Sequence, residues 1–307
     1  MQKSDESIDN KYAVIDVGTN NILMLLARKT GKQIDVVHRS FNISSLGKNM
    51  KNGLLNQRAI QRTKNFLKDY LDFARLFTQN IIVVGTSCSR EALNINQLSD
   101  WLMHNFKLHY HIISGEQEAH FIGLANVREF SDFPEIILFD IGGGSSEFVY
   151  ISKGEIIFTQ SLPLGIRRLH NNSARNAGKR LDLTRKILQN LKDNLFTDPI
   201  LIGTGSTATS LVTIKKQMRD YDSRIIHQSI INRDELSDLI KKIKDLKPKQ
   251  IASLVPFDPL RIDIVQTGAM IIKEIIDHFN RDEFLVSDKG LAFGVLEQTD
   301  QEIRKYL

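Results

Sequence analysis

The residues best suited to chemistry lie in DIGGGSSE, at 140–147. Three glycines follow an apolar, strand-like run directly. Without side chains, the N–H groups of Gly142, Gly143 and Gly144 can come close to an anion, and successive amides can form an anion-binding concavity. Ser145 and Ser146 add hydroxyl donors. Asp140, where the apolar run ends, can hold Mg²⁺ directly or through water, because Mg²⁺ prefers carboxylate, water and phosphate oxygens. The segment continues as a strand and not a helix, which excludes the dinucleotide-binding fingerprint. A related turn, DVGTNN at 16–21, sets Thr19 and Asn20 as polar donors beside Gly18, with Asp16 as a second acid.

Three further segments carry candidate groups. GTSCSREA, at 85–92, puts Arg90 just after a strand-end Gly-Thr-Ser, where its fork can clamp a phosphate. GTGST, at 203–207, leads through Gly205, Ser206 and Thr207 into a helix whose first amides suit an anion. In SGEQEA, at 114–119, Ser114 and Gln117 have the spacing of a capping box. Glu116 and Glu118 then fall in the first helical turn, where the macrodipole favours the ionised carboxylate. Either one, facing a cleft, can orient or deprotonate water. His109 and His111 flank Tyr110 on a strand-like run and point the same way, but no further ligands stand at zinc spacing. Cys88 reads as a small core filler.

The elements that must position these groups occur twice. Placing Asp16 on Asp140 aligns AVIDVGTNNILMLLARKTGKQIDVVHRS with IILFDIGGGSSEFVYISKGEIIFTQS. Each holds three strands, a polar turn after the first and a Lys/Gly-containing turn after the second. A second pair follows in the same order, IIVVGTS at 81–87 and PILIGTGST at 199–207. Gly85 lies 69 residues after Asp16, and Gly203 lies 63 after Asp140. Two matched features in one order imply an internal duplication. Ile60, Leu67, Leu71, Ala74 and Phe77 recur at helical spacing within 56–78. Segments 115–129, 181–195, 206–217, 234–245, 261–279 and 290–305 also read as helices. The expected class is α/β, with two lobes, each a mixed sheet with helices, across a cleft. The break falls at 130–135, giving lobes at 11–125 and 126–307.

The bulk numbers narrow the class. At 307 residues, 41% apolar and 25% charged, the chain suits two soluble, folded domains. One cysteine permits no internal disulfide and fits a reducing compartment. The start, MQKSDESIDN, is polar and acidic, unlike a signal peptide, and no apolar run reaches transmembrane length. A cytoplasmic protein without a membrane partner is expected. The net charge of +5 helps attract a polyanion. Basic residues concentrate between Arg167 and Lys249 without interleaved aromatics, so nucleic acid is not the expected partner.

In order and spacing, DVGTNN, GTSCSREA, SGEQEA and DIGGGSSE resemble the exopolyphosphatase / guanosine pentaphosphate phosphohydrolase family. SLPLGIRRL at 161–169, GTGST, LRIDIVQTGAMII at 260–272 and SDKGLAFGVL at 287–296 extend the resemblance over about residues 12–297. It implies the duplicated actin-like (ribonuclease H-like) fold of the sugar kinase–actin–chaperone ATPase superfamily, with a last helix that packs back on the first lobe. It implies hydrolysis of the terminal phosphate of inorganic polyphosphate, of guanosine pentaphosphate, or of both, with Mg²⁺ or alternatively Mn²⁺. The resemblance makes Glu118, not Glu116, the catalytic glutamate, with Arg90 the active-site arginine. Asp140 and Glu147, with Asp16, are then the metal-associated acids, and a homodimer is implied as well. The departures from the family pattern are Thr19 and Asn21 in the first turn, no arginine near Leu23 and Met24, Ser206 for a glycine, and Ala292 for an arginine. A kinase of the same superfamily, or a sensor that binds polyphosphate or nucleotide without turnover, would carry many of the same residues.

Overall fold

The run KYAVIDV forms β1 (Lys11–Val17), with Ala13, Val14, Ile15 and Val17 all buried. A strand apolar on both faces belongs inside a sheet covered on both sides. It turns back antiparallel into β2 (Ile22–Thr30), which pairs antiparallel with β3 (Gln33–Asn42). On its other side lie β4 (Ile81–Gly85) and β5 (Tyr110–Ile112), both parallel to it, giving the order β3-β2-β1-β4-β5. The computed structural model describes residues 10–173, 176–192, 195–244, 246, 250, 253, 254 and 262–307.

The second sheet contains β6 (Glu135–Ile141), β7 (Ser146–Ser152), β8 (Glu155–Leu162), β9 (Ile200–Thr204), β10 (Ser229–Asn232) and β11 (Glu283–Val286). Its order is β10-β11-β9-β6-β7-β8. Apart from the added antiparallel edge β10, this is the first sheet again, with the same strand directions. The duplicated α/β class expected from the sequence is the one observed.

The register corrects one part of the repeat. Asp16 pairs with Val84, and Asp140 with Thr204. Gly85-Thr86-Ser87 therefore matches Gly205-Ser206-Thr207, and the pairing of Gly85 with Gly203 slips by two residues. Gly203 lies inside β9, where a Cβ would come within 2.8 Å of the Phe139 ring and 3.1 Å of the Phe284 ring. Ring packing requires that glycine, and the strand continues past it.

Helices Gln57–Ala74 and Asn96–Phe106 cover the outer face of the first sheet. Helices Ile166–Ser173, Ala177–Leu188, Gly205–Lys215, Arg233–Lys244 and Ile262–His278 build around the second. The expected helix at 181–195 starts earlier, because Asn176 caps it by accepting from Lys179 N at 2.9 Å. Residues 193–194, 245 and 261 of the expected helices lie outside the described residues. The expected helix at 290–305 is broken into Leu291–Glu297, Asp300–Ile303 and a 3₁₀ turn at Arg304–Tyr306. Thr299 and Glu302 form a capping box that restarts it. Asn96–Phe106 and Ile166–Ser173 are helices that the apolar spacing did not announce.

A third core lies between the sheets. Helix Gly115–Val127 packs on β7 and β8, and helix Leu291–Glu297 packs on β1 and β2. The two cross so closely that a Cβ on Gly294 would fall 1.7 Å from the Phe121 carbonyl oxygen. The segment at 130–135 is anchored by buried Phe130. No helix among the described residues is long and apolar enough to cross a membrane.

Candidate active site

The two duplicated turns close with the same hydrogen bond. Gly18 N donates to Asn21 O at 2.9 Å, and Gly142 N donates to Ser145 O at 3.0 Å. Both turns are also gripped from behind by their carbonyls. Gly47 N reaches Thr19 O at 2.8 Å and Ser45 N reaches Asn20 O at 2.7 Å. In the second turn, Ile166 N reaches Gly142 O at 3.1 Å, Arg167 N reaches Gly143 O at 2.7 Å, and Arg168 Nε reaches Gly144 O at 2.6 Å. With its carbonyls held, the second turn keeps the N–H groups of Gly143 and Gly144 out of backbone hydrogen bonds among the described residues. Those amides are available to an anion.

The gripping segments are themselves a repeat, Leu46-Gly47 and Leu164-Gly165, each after the third strand of its lobe. Both leucines are fully buried. A Cβ on Gly47 would meet Thr19 Cγ2 at 2.4 Å, and one on Gly165 would meet the Gly144 carbonyl carbon at 2.3 Å. This repeated Leu-Gly was the sequence signal for the turn supports. The turns also touch each other across the lobes. A Cβ on Gly143 would lie 3.0 Å from Thr19 Cβ, and one on Gly144 would lie 2.4 Å from Ser87 Oγ.

Between the lobes is a cleft of about 730 Å³. Gly18, Thr19 and Asn20 line it from the first turn, and Gly142, Gly143, Gly144 and Ser145 from the second. Gly205, Ser206 and Thr207 line it from the start of their helix, with Asp16, Asp140 and Glu118 among them. Arg90 and Glu147 stand behind this lining. Arg90 Nη1 donates to Glu118 Oε2 at 2.7 Å and to Ile113 O at 2.9 Å. Glu147 is buried opposite Asp140 in the β6–β7 register and accepts from Ser161 Oγ at 2.9 Å. The Ser114–Gln117 capping box is formed. It sets the helix so that Glu118 faces the cleft and Glu116, two residues away, faces solvent.

Four acids crowd here, Glu147 buried and Asp16, Glu118 and Asp140 half-buried. Burial pushes Asp16 well above the usual carboxylate range, and the charges of Glu118 and Asp140 add to this. Asp140 is pushed up to about 7 by burial and then by Glu118. Glu147 is raised by burial, then Glu118 and Asp140, against Ser145 and Ser161. Burial also raises Glu118, and the Arg90 guanidinium opposes it.

Such a cluster suits a bound cation. Asp16 Oδ1 is buried without a hydrogen-bond partner among the described residues. Asp140 Oδ1 occupies the space beside Gly205, where a Cβ would lie 2.2 Å away. No group of three or more His, Cys, Asp or Glu among the described residues forms a ready-made metal cage. Asp16 and Asp140 are the two carboxylates that could share a Mg²⁺, whose other positions would go to water and phosphate. His109 and His111 belong to no such group; His111 packs 5.2 Å from the Tyr306 ring. Cys88 is buried and its thiol is pushed up to about 11 by burial, consistent with a core role.

Several cleft residues had no role assigned to them from the sequence, and two of them, Arg39 and Tyr221, lie outside every segment of the resemblance. Arg167 Nη2 donates to Asn20 Oδ1 at 2.8 Å across the lobes. Two departures from the family pattern meet each other, with Asn21 Nδ2 donating to Ser206 Oγ at 2.9 Å. Arg39, opposite Leu25 in the β2–β3 register and so away from the first turn, lines the cleft together with Tyr221, Asp288 and Phe293.

A two-lobed fold with paired glycine turns, a cleft carboxylate on a helix start and a cluster of acids at the junction of the lobes defines a class of phosphoryl-handling protein. A family model described as the Ppx/GppA phosphatase family matches residues 25–301, and the chain belongs to that family. It is 32% identical to a bifunctional 3-dehydroquinate synthase/phosphatase of Fusobacterium nucleatum over 96% of this chain. It spans about half of that relative, 48%. It is 26% identical to exopolyphosphatase 2 of Mycobacterium tuberculosis, over 93% of this chain and 97% of that one. The crystal structure of an exopolyphosphatase from Cytophaga hutchinsonii superposes with a TM-score of 0.84 at 21% identity, covering 93% of this chain and 96% of that chain. That likeness shows a shared fold, with the two duplicated lobes described above.

Proposed function

We propose that the protein is a Mg²⁺-dependent exopolyphosphatase that releases terminal orthophosphate from inorganic polyphosphate. The observation that carries this reading is Glu118, held by Arg90 at the cleft face between two glycine turns. The terminal phosphoryl group lies between the turns. The amides of Gly143 and Gly144 and the hydroxyls of Thr19, Ser145, Ser206 and Thr207 receive its oxygens. Asp140 and Asp16 are the residues that would hold Mg²⁺, or Mn²⁺ in its place. When bound, the metal neutralises charge on the phosphates and among the acids. Glu118 accepts the proton of a water aligned for attack on the terminal phosphorus. Arg90 orients that carboxylate and favours its ionised form. Phosphoryl transfer leaves the protein mostly positioning and charge stabilisation to supply, and these groups supply both.

General-base catalysis is worth about 10²–10⁴-fold. Glu118→Gln is therefore expected to lower phosphate release by at least about 10²-fold while polyphosphate still binds. Turnover at the wild-type rate in that variant would refute the assignment. Guanosine pentaphosphate is the second reading. The apolar cleft wall at Leu23, Leu291 and Phe293 favours it, because a nucleoside has a face to lay there. Kinetics on both substrates side by side separate the two.

A further inference from the structure

The charge of the cleft sets a limit on what can lie in it. Four carboxylates line it, Asp16, Glu118, Asp140 and Asp288, against two guanidiniums, Arg39 and Arg167, and the described lining contains no lysine. A divalent cation at Asp16 and Asp140 would bring that lining only to neutrality, so even with the cation it is not positive. Arg39 is already engaged. It donates to the Asp288 carboxylate and, at 2.7 Å, to the Asp288 carbonyl, with its guanidinium 4.6 Å from the centre of the Phe293 ring. The Tyr221 hydroxyl donates to the other Asp288 oxygen. Around this pair the wall continues as Leu23, Phe41, Leu291 and Ala292.

A polyanion is held by cations spaced along its path, since each of its charges must be matched or left in water. The glycine turns can match one end of a phosphoanhydride. Beyond them the wall offers apolar carbon and an ion pair that is neutral as a unit. Arg39 comes from β3 and Asp288 follows β11, so the pair also ties the lobes together in the cleft wall. A long chain would have to pull Arg39 off Asp288 or lay unpaired charges along Leu23. A short substrate meets neither obstacle.

The geometry points to a site selective for short phosphoanhydrides, with Arg39–Asp288 and Leu23 as the residues that exclude long chains. This rests on the phosphoanhydride-hydrolase reading of the same cleft. The shared chemistry is a terminal triphosphate, whether inorganic or carried by a nucleoside.

The test measures phosphate release with Mg²⁺ from tripolyphosphate, guanosine pentaphosphate and long-chain polyphosphate, each at equal concentration of chain ends. The wild type is expected to show kcat/KM at least about tenfold higher on one or both short substrates than on the long chain. The substrate that leads tells whether the source is inorganic or nucleotide, and either upholds the proposal. Leu23→Arg adds a cation at a half-buried wall position, and Asp288→Asn leaves the Arg39 charge uncompensated with almost no change of shape. Each is expected to raise kcat/KM on the long chain by about tenfold, through KM, while tripolyphosphate moves less than about twofold. A wild type that prefers the long chain, or variants that move all three substrates alike, overturns the proposal. Absence of phosphate release from all three substrates overturns the hydrolase reading beneath it, and the proposal with it.

Discussion

Glu118 stands under two opposing influences, burial that favours its neutral form and Arg90 that favours its anion. Removing Arg90 leaves burial unopposed, so the carboxyl pKa rises. If Glu118 must be ionised to act, the acid limb of the kcat–pH profile moves to higher pH in Arg90→Ala, by about one unit or more, since one unit corresponds to about 1.4 kcal/mol. Arg90→Lys keeps the charge but loses the fork, and its limb should lie between the two. A limb that does not move in Arg90→Ala would show that Glu118 is not the titrating base. From the residues alone, Glu116 and Glu118 were equivalent first-turn acids, and the family resemblance chose between them. The helix then gives the physical reason, since two residues of helical rotation turn one to the cleft and the other to water. Arg39 sits in ordinary sequence. Arg167 and Asp288 lie in SLPLGIRRL and SDKGLAFGVL, which the resemblance covers, but only contacts across the lobes give them their place in the cleft.

Hairpins and strand ends are written locally, in apolar runs and the turn residues that bound them, so both glycine turns were legible. What holds the turns was not, because it depends on backbone approach between distant segments. Gly165 tests that support. A Cβ there meets main-chain atoms of Gly144 at 2.3 and 2.5 Å, and main chain cannot swing aside. Gly165→Ala must displace the second glycine turn, at about 1–3 kcal/mol of overpacking. Gly154 is the control. It has φ +78° with nothing within 4 Å of the added Cβ, so Gly154→Ala brings backbone strain of about 1–2 kcal/mol and no clash. Urea titration should show comparable losses of stability in the two variants, and phosphate release should collapse only in Gly165→Ala. Equal activity in both would mean that the grip on the Gly143–Gly144 carbonyls does not set the turn. The two-residue slip between Gly203 and Gly205 has the same origin. Gly203 looks like a strand-end glycine in sequence but is required by the Phe139 and Phe284 rings, which come from other strands.

For the whole molecule, the duplication was legible because both copies keep one order of elements. The interlobe core was not, since helices Gly115–Val127 and Leu291–Glu297 meet only in the folded chain. That core brings Asp16 of one lobe and Asp140 of the other into a single cluster, with a consequence for stability. Both have folded pKa values raised above those of the unfolded chain, to about 7 for Asp140. Their contribution to stability is fully present below the unfolded value of about 4, and is lost as pH rises through the folded value. The metal-free protein should therefore become less stable from about pH 5 to pH 8, as burying these carboxylates forces charge into the core. On the proposed reading Mg²⁺ would bind the deprotonated acids, so its stabilisation should run the opposite way, small near pH 5.5 and large near pH 8. Thermal unfolding with Mg²⁺ and with chelator, at both pH values, measures this directly. In Asp140→Asn one of the titrating acids is gone, so both the pH slope and the Mg²⁺-induced rise in Tm should shrink. An equal Mg²⁺ effect at the two pH values, or one that survives in Asp140→Asn, would place the cation away from the junction of the lobes.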